Sequence, residues 1–147
     1  MSTQEFLDKA YRAASESGHI FPEFACCEAA LESGWGGSRL AQDANNLFGR
    51  KARKGETLPT ISINTREFIA NQWVTVPAAW AKFEDWKASF ADRMATLRRL
   101  APSYPHYAAA LAAKTGKEFV EEVSKTWSTD PLRAVKVLAI YDKHFPA

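Results

Sequence analysis

The sequence predicts a mainly helical α+β domain that carries one β-hairpin. Three observations predict this fold class. Apolar residues recur at helical spacing over most of the chain, one internal stretch alternates with a period of two, and no run of about 20 apolar residues occurs. The length of 147 residues and the 46% hydrophobic content suit one core, so we assign residues 1–147 to a single domain.

Three helices are predicted before the hairpin. The first ends at Gly18, because glycine readily adopts the left-handed conformation that closes a helix. The second begins at Pro22, since proline is favoured at the first helical position, and it ends at Gly34. A short helix over residues 38–44 and a loop over residues 45–59 complete this half.

The hairpin is predicted from a change of period. Apolar and polar residues alternate over residues 61–67, which is typical of a half-buried strand. A turn at residues 70–72 leads to a second strand over residues 73–76. We expect Pro77 to end that strand, because proline cannot donate a hydrogen bond to a partner strand.

Four more helices are predicted after the hairpin. They cover about residues 87–100, 106–114, 117–126 and 131–144. We expect Asp130 to cap the last of them, with Pro131 at its first position. The order of helices, one hairpin and more helices gives the α+β class.

Composition and charge indicate which partners and cofactors are expected. A formal charge of +2 favours anionic partners only weakly, and no ordered motif indicates a nucleic acid. Adjacent Cys26 and Cys27 cannot form a normal disulfide, and the scattered histidines form no ligand motif, so we predict no metal and no cofactor. We expect a monomer without membrane insertion. The first residues lack a secretory signal, so we expect synthesis in the cytoplasm and delivery by another protein.

The most informative segment for chemistry is AALESGWGGS, at residues 29–38. Glu32 stands in the last turn of the second helix, where the helix dipole is negative. That position and the nearby Trp35 both disfavour an ionised carboxylate, so we expect a carboxyl group that can donate a proton to a leaving oxygen. A solvated surface glutamate is the alternative, and Glu28, one turn earlier, is the competing candidate.

Glu67 is the second carboxyl of interest. It is in phase with the isoleucines of the first strand, so a hairpin folded over the helix end would bring it toward Glu32. Glycoside hydrolysis generally uses two carboxyls, about 5–5.5 Å apart for retention and roughly 6.5–9.5 Å apart for inversion. The alternative is a charge on an edge strand. Among the tryptophans, Trp35 is the one that we expect to stack on a sugar ring.

Four ordered segments resemble glycoside hydrolase family 73, the glucosaminidases that include flagellar muralytic domains, autolysins and phage endolysins. They are ALESGWGGSRLA with NNLFGRKA, Thr65-Arg66-Glu67, KFEDW at residues 82–86, and WSTDP at residues 127–131. The resemblance extends from about residue 3 to residue 144. It implies a lysozyme-like fold, in which helical lobes enclose a cleft and the hairpin flanks it.

The resemblance also implies an activity and a set of site residues. The activity is hydrolysis of the β-1,4 bond between N-acetylglucosamine and N-acetylmuramic acid in peptidoglycan, with Glu32 as general acid and Glu67 as second acid. The residues expected to bind substrate are Trp35, Asn46, Phe48 and Trp127. The family has tyrosine where this chain has Trp127, so a hydroxyl that can orient water or the substrate's acetamido group is missing.

Other functions are alternatives to this activity. A muramidase or lytic transglycosylase of the lysozyme superfamily would cut the other glycan bond, although NLFG at residues 46–49 stands where transglycosylases have Gly-Leu-Met-Gln. A non-catalytic wall-binding module and a small basic nucleic-acid binder are alternatives from other classes. The hypothesis that we carry forward is a phage-type endolysin that reaches periplasmic peptidoglycan after another protein, such as a holin, opens the membrane.

Overall fold

A computed structural model describes residues 1–146 as seven helices and one two-stranded antiparallel sheet. In chain order the elements are α1 (Thr3–Ser17), α2 (Pro22–Ser33), α3 (Arg39–Ala44), β1 (Thr60–Ile69), β2 (Gln72–Ala81), α4 (Trp86–Leu100), α5 (Pro105–Leu111), α6 (Gly116–Trp127) and α7 (Arg133–His144). The predicted fold class, mainly helical with one hairpin, is confirmed.

The ends of the first two helices follow from local sequence. The Ser2 hydroxyl accepts a hydrogen bond from the Glu5 backbone N–H, and the Glu5 side chain accepts one from Ser2, which forms a capping box for α1. Gly18 ends α1 with a φ of 78°, and Pro22 opens α2. The boundaries at Gly18 and Pro22 agree with the prediction.

Helix α2 runs through the middle of the buried core. Its buried residues are Phe24, Ala25, Cys26, Cys27, Glu28, Ala29, Ala30 and Ser33. Most of these side chains are small, so α1, α6 and α7 can pack closely against α2. Both cysteines are free thiols, as their adjacency predicts. The helix that carries Glu32 is therefore held from several sides.

The hairpin pairs β1 with β2 from Thr60 opposite Ala81 to Ile69 opposite Gln72. The two turn residues, Ala70 and Asn71, have φ values of 51° and 64°, as a type I′ turn requires. The inner face carries Ile61, Ile63, Thr65 and Glu67, opposite Trp80, Ala78, Val76 and Val74. The period of two predicted this alternation.

Pro77 does not end the second strand, so that prediction was wrong. Strand β2 continues to Ala81, and Pro77 lies opposite Asn64. In a two-stranded sheet both strands are edge strands. A proline can therefore occupy a position whose N–H would point away from the partner, without loss of an inter-strand hydrogen bond.

Helix α7 begins at Arg133, later than predicted, and Asp130 does not cap it. Leu132 stands at the N-cap position and makes no side-chain cap. Asp130 instead accepts a hydrogen bond from the Leu132 backbone N–H at 2.9 Å, which forms a turn around Pro131. Arg133 is consequently the first helical residue of α7.

Candidate active site

Glu32 lies at the carboxyl end of α2, where the chain turns sharply. Gly34 and Trp35 follow it with φ values of 57° and 58°, both in the left-handed region. The Ser33 hydroxyl fixes this turn, because it donates to Ala29 O at 2.6 Å and accepts from Gly36 N–H at 2.9 Å. The Glu32 side chain is 24% exposed. Its carboxyl group is thus held at the end of a rigid helix and remains accessible.

Arg133 binds the Glu32 carboxyl. Its Nε donates to Oε1 of Glu32 at 2.8 Å, across 101 residues of sequence. Its Nη1 donates to the Ser124 hydroxyl of α6 at 2.8 Å. Burial acts to lower the pKa of Arg133, but the carboxylates of Glu28 and Glu32 outweigh burial and raise it. Arg133 is therefore a permanent cation beside the candidate acid.

Glu28, the competing candidate, lies beneath Glu32 and is fully buried. Arg93 of α4 donates to both of its carboxylate oxygens, at 2.9 and 2.7 Å. Nη2 of Arg133 lies 2.8 Å from Oε2 of Glu28, an ion-pair contact without hydrogen-bond geometry. Burial alone would raise the pKa of Glu28, but the charges of Arg93 and Arg133 lower it to about 2. Glu28 is therefore a buried structural anion that substrate cannot reach.

We call Glu28, Glu32, Arg93 and Arg133 the charge cluster. Two carboxylates face two guanidinium groups, so the formal charges cancel when Glu32 is ionised. Neither arginine was predicted from the sequence, although the position of Arg93 indicates a buried charge. It stands among Phe90, Met94 and Leu97, at helical spacing on the buried face of α4. A charge in an apolar stripe needs a buried partner.

An aromatic wall adjoins the charge cluster. The Arg93 guanidinium carbon lies 4.7 Å from the ring centre of Phe48 and 4.5 Å from that of Trp127. Phe48 and Trp127 meet edge to face, and Tyr107 lies 6.1 Å from Trp127. These side chains line an open cavity of about 280 Å³ together with Arg50, Lys51 and Asp92. Two of the predicted substrate-binding residues, Phe48 and Trp127, thus share one cavity.

Asn46 and Trp35, the other two predicted substrate-binding residues, have different surroundings. Asn46 is 1% exposed and bonds only to backbone, in that it donates to Arg50 O and Ala81 O and accepts from Arg50 N–H. Trp35 packs edge to face against Phe6 and His144. It lines a separate hollow from Phe48 and Trp127. Asn46 therefore positions the loop that carries Phe48, and substrate contact by Asn46 or Trp35 stays a prediction.

Glu67 lies on the inner face of the hairpin, with its side chain 42% exposed. Its Oε1 is 3.3 Å from Nζ of Lys51, a residue that also lines the aromatic cavity. Within residues 1–146, neither Glu32 nor Glu67 has the other as a hydrogen-bond or ion-pair partner. Glu67 is therefore connected to the cavity lining by its ion pair with Lys51.

Two further properties of the described residues concern metal ions and membranes. Over residues 1–146, no cluster of three or more histidine, cysteine, aspartate or glutamate side chains has an arrangement that suits a metal ion. Across the same range, every helix is too short or too polar to span a bilayer.

Comparison with known proteins identifies the family of this chain. A family model described as glucosaminidase, mannosyl-glycoprotein endo-beta-N-acetylglucosaminidase, matches residues 8–145. Peptidoglycan hydrolase FlgJ of Vibrio parahaemolyticus is 30% identical over 97% of this chain and 45% of its own length. Exo-glucosaminidase LytG of Bacillus subtilis is 32% identical over 88% of this chain and 46% of its own length. The chain thus spans just under half the length of both relatives.

A solved structure has the same fold. The catalytic domain of the autolysin Auto from Listeria monocytogenes superposes with a TM-score of 0.82 and 28% identity. The superposition covers 96% of this chain and 83% of that domain. The resemblance predicted from four sequence segments is confirmed over nearly the whole chain, which belongs to the glucosaminidase family.

Proposed function

We propose that this chain hydrolyses peptidoglycan at the β-1,4 bond between N-acetylglucosamine and N-acetylmuramic acid. The observation that carries the proposal is the Glu32 carboxyl, accessible at the end of a rigid helix in the same molecule as an aromatic cavity. Relatives named as a peptidoglycan hydrolase and an exo-glucosaminidase support the substrate and the bond. Phe48 and Trp127 offer aromatic surfaces for sugar rings.

The contacts of Glu32 suggest how it acts. Arg133 occupies Oε1, and no hydrogen bond within residues 1–146 uses Oε2, so Oε2 is the oxygen that can carry the proton. As a general acid, Glu32 protonates the bridging oxygen while the bond from that oxygen to the sugar's C1 breaks. Positive charge develops at C1, and a carboxylate or the substrate's 2-acetamido oxygen can stabilise it before water adds.

Replacement of Glu32 by glutamine tests the role of the acid. We expect Glu32→Gln to lower kcat on purified peptidoglycan by a factor of about 10²–10⁴, because glutamine cannot donate the proton. The stability should change by less than about 1 kcal/mol, because the amide oxygen can still accept from Arg133. Glu16→Gln is the matched control, since Glu16 stands exposed in the last turn of α1. A folded and active Glu32→Gln protein would refute the role of Glu32 as the general acid. Unfolding of this variant would instead assign Glu32 a structural role.

The bond that is cut can be read from the products. Mass spectrometry of digested peptidoglycan should find reducing-end N-acetylglucosamine on fragments of mixed length, as an endo-acting glucosaminidase produces. Reducing-end or anhydro muramic acid would indicate a muramidase or a lytic transglycosylase instead. Release of single terminal sugars would indicate exo action, as in the name of the Bacillus subtilis relative.

We propose Glu67 as the second carboxyl. Its place on the inner face of the hairpin, paired with the cavity residue Lys51, supports this role. Glu67→Gln should lower kcat by at least tenfold, because a neutral amide stabilises the charge at C1 less well. Lys51→Met is the comparison variant, since it removes the ion pair and keeps the carboxylate. Full activity of Glu67→Gln would assign the second role to the acetamido group of the substrate.

The biological setting that we propose is an endolysin that acts on periplasmic peptidoglycan once another protein has opened the membrane. The weakly basic charge of the chain suits an anionic wall. Purified protein should then lyse cells with a permeabilised outer membrane and leave intact cells unchanged. Lysis of intact cells at the same protein concentration would contradict this setting.

A further inference from the structure

The charge cluster contains a buried anion that the proposed hydrolysis does not use. Glu28 is fully buried, one turn before Glu32 on α2, and both of its oxygens contact guanidinium groups. A buried carboxylate is costly to dehydrate, and a smaller apolar residue would pack in a helix with less cost. The presence of a charge at this position calls for an electrostatic explanation.

Arg133 is shared between the two carboxylates of α2. Its Nε donates to Glu32 at 2.8 Å and its Nη2 lies 2.8 Å from Glu28. Arg93 donates a hydrogen bond to each oxygen of Glu28, and its Nη2 shares Oε2 with Nη2 of Arg133. If Glu28 were neutral, two buried guanidinium charges would act on a single remaining carboxylate, Glu32. That arrangement would strongly favour ionised Glu32, whereas a general acid has to hold a proton.

We propose that Glu28 is a positioning residue that offsets the charges of Arg93 and Arg133, and thereby sets the pH at which Glu32 gives up its catalytic proton. The proposal rests on the role of Glu32 as the acid. In this scheme Arg133 fixes the orientation of Glu32 through Oε1, while Glu28 offsets part of the positive charge of Arg133.

Other groups around α2 add little charge. The buried residues of α1 are all apolar. The neighbouring polar groups are His19 and Tyr107 beside Arg93, Ser124, Glu121 and Lys125 on α6, and the ion pair of Asp130 with Lys136. Burial and the charge of Arg93 lower the pKa of His19 to about 4, so its ring is neutral near pH 7. Burial raises the pKa of Tyr107, which is neutral too. Glu121 and Lys125 of α6 carry opposite charges, and Asp130 is paired with Lys136 of α7, so neither pair adds net charge. The charged groups linked to Glu32 by contacts are Arg133 and, through it, Glu28 and Arg93.

The pH dependence of kcat/KM on a soluble glycan fragment tests the proposal. Its alkaline limb reports the loss of the proton from the acid. Glu28→Gln should move this limb to lower pH by about one unit or more, because an anion near Glu32 is lost. Arg133→Met should move it to higher pH, because a cation is lost. Arg133→Lys keeps the charge, so its limb should stay near the wild-type position even if the rate falls.

A purely structural role would not move the alkaline limb in opposite directions in Glu28→Gln and Arg133→Met. Lower rates with an unmoved limb in both variants, or movement in the same direction, would overturn the proposal. If Glu28→Gln does not fold, Arg133→Met against Arg133→Lys still gives the comparison. Circular dichroism of each variant at every pH identifies the folded range.

Carbon-13 NMR of labelled glutamate carboxyls gives a readout without catalysis. The Glu32 signal, identified by its absence in Glu32→Gln, should titrate at lower pH in Glu28→Gln and at higher pH in Arg133→Met than in the wild type. If these shifts occur while Glu32→Gln stays active, the coupling holds and the proposed acid is wrong. If Glu32→Gln is inactive and the signal titrates alike in all variants, the proposal for Glu28 fails alone.

Discussion

Asn46 makes three hydrogen bonds to backbone atoms from a side chain that is almost fully enclosed. Through them it joins the loop that carries Phe48 to the end of β2 at Ala81. Asn46→Ala would leave one N–H and two carbonyl groups without these partners. We therefore expect a loss of about 2–4 kcal/mol in the free energy of unfolding, measured by urea denaturation.

Asn64 provides the control at the same scale. It is an exposed asparagine on the outer face of β1, so Asn64→Ala should change the free energy of unfolding by less than about 0.5 kcal/mol. A loss of similar size in both variants would mean that the Asn46 bonds do not hold the loop. The two asparagines differ in burial and partners, which local sequence alone does not reveal.

At the scale of elements, the hairpin is the least enclosed part of the fold. No residue of β1 is fully buried, and in β2 only Ala81 is. Phe68 and Trp73 are exposed near the turn. We expect the backbone amides of residues 62–69, 72–76 and 78–79 to exchange with deuterium far faster than those of α2, because few apolar contacts oppose local opening. Hydrogen exchange followed by NMR checks this, and protection equal to that of α2 would contradict it.

Local sequence predicted elements wherever a single residue decides the backbone. Gly18, Pro22 and Gly34 mark helix ends, and the period of two over residues 61–67 identified β1 and its inner face. The wrong predictions concern positions where the local conformation depends on residues outside the local segment. Whether Pro77 ends a strand depends on the number of strands in the sheet, and whether Asp130 caps a helix depends on the turn that follows.

The site was predictable only in part for a related reason. The position of Glu32 at the end of α2 followed from local sequence, and the structure places Phe48 and Trp127 in one cavity. The acid role of Glu32 and substrate binding by Phe48 and Trp127 stay predictions. The pairing of Glu32 with Arg133 spans 101 residues and leaves no local pattern. Such a pairing follows from how α2 and α7 pack, which depends on the whole fold.

At the scale of the whole molecule, the charge cluster connects the helices that form the core. Arg93 belongs to α4, Arg133 to α7 and the two glutamates to α2, while Ser124 adds a contact from α6. His19 extends the cluster, since its Nε2 lies 3.2 Å from Nη1 of Arg93 and its Nδ1 lies 2.6 Å from Ile20 O. Changes in the protonation of these groups should therefore alter global stability as well as activity.

The stability of the protein should fall as the pH decreases from about 6.5 to 4. Burial, with the Arg93 charge, lowers the pKa of His19 from 6.5 to about 4, so in this range the unfolded chain binds a proton that the folded chain does not. Proton uptake by the unfolded state favours unfolding, and a shift of this size corresponds to a loss on the order of 3 kcal/mol. Glu28 acts in the same direction at lower pH, since its folded pKa of about 2 lies below the ordinary 4.5.

Urea denaturation at several pH values between 7 and 4 measures this dependence. His19→Asn should reduce the slope of the free energy of unfolding against pH by the equivalent of up to one bound proton. Asparagine does not titrate, so the unfolded variant gains no proton at this position. Leu97→Ala is the control, since it removes a buried core side chain, lowers the free energy of unfolding at every pH and leaves both acid–base groups in place. If His19→Asn keeps the wild-type slope, the histidine is not the group that takes up the proton. A flattened slope in Leu97→Ala would mean that the dependence follows general destabilisation rather than the buried imidazole.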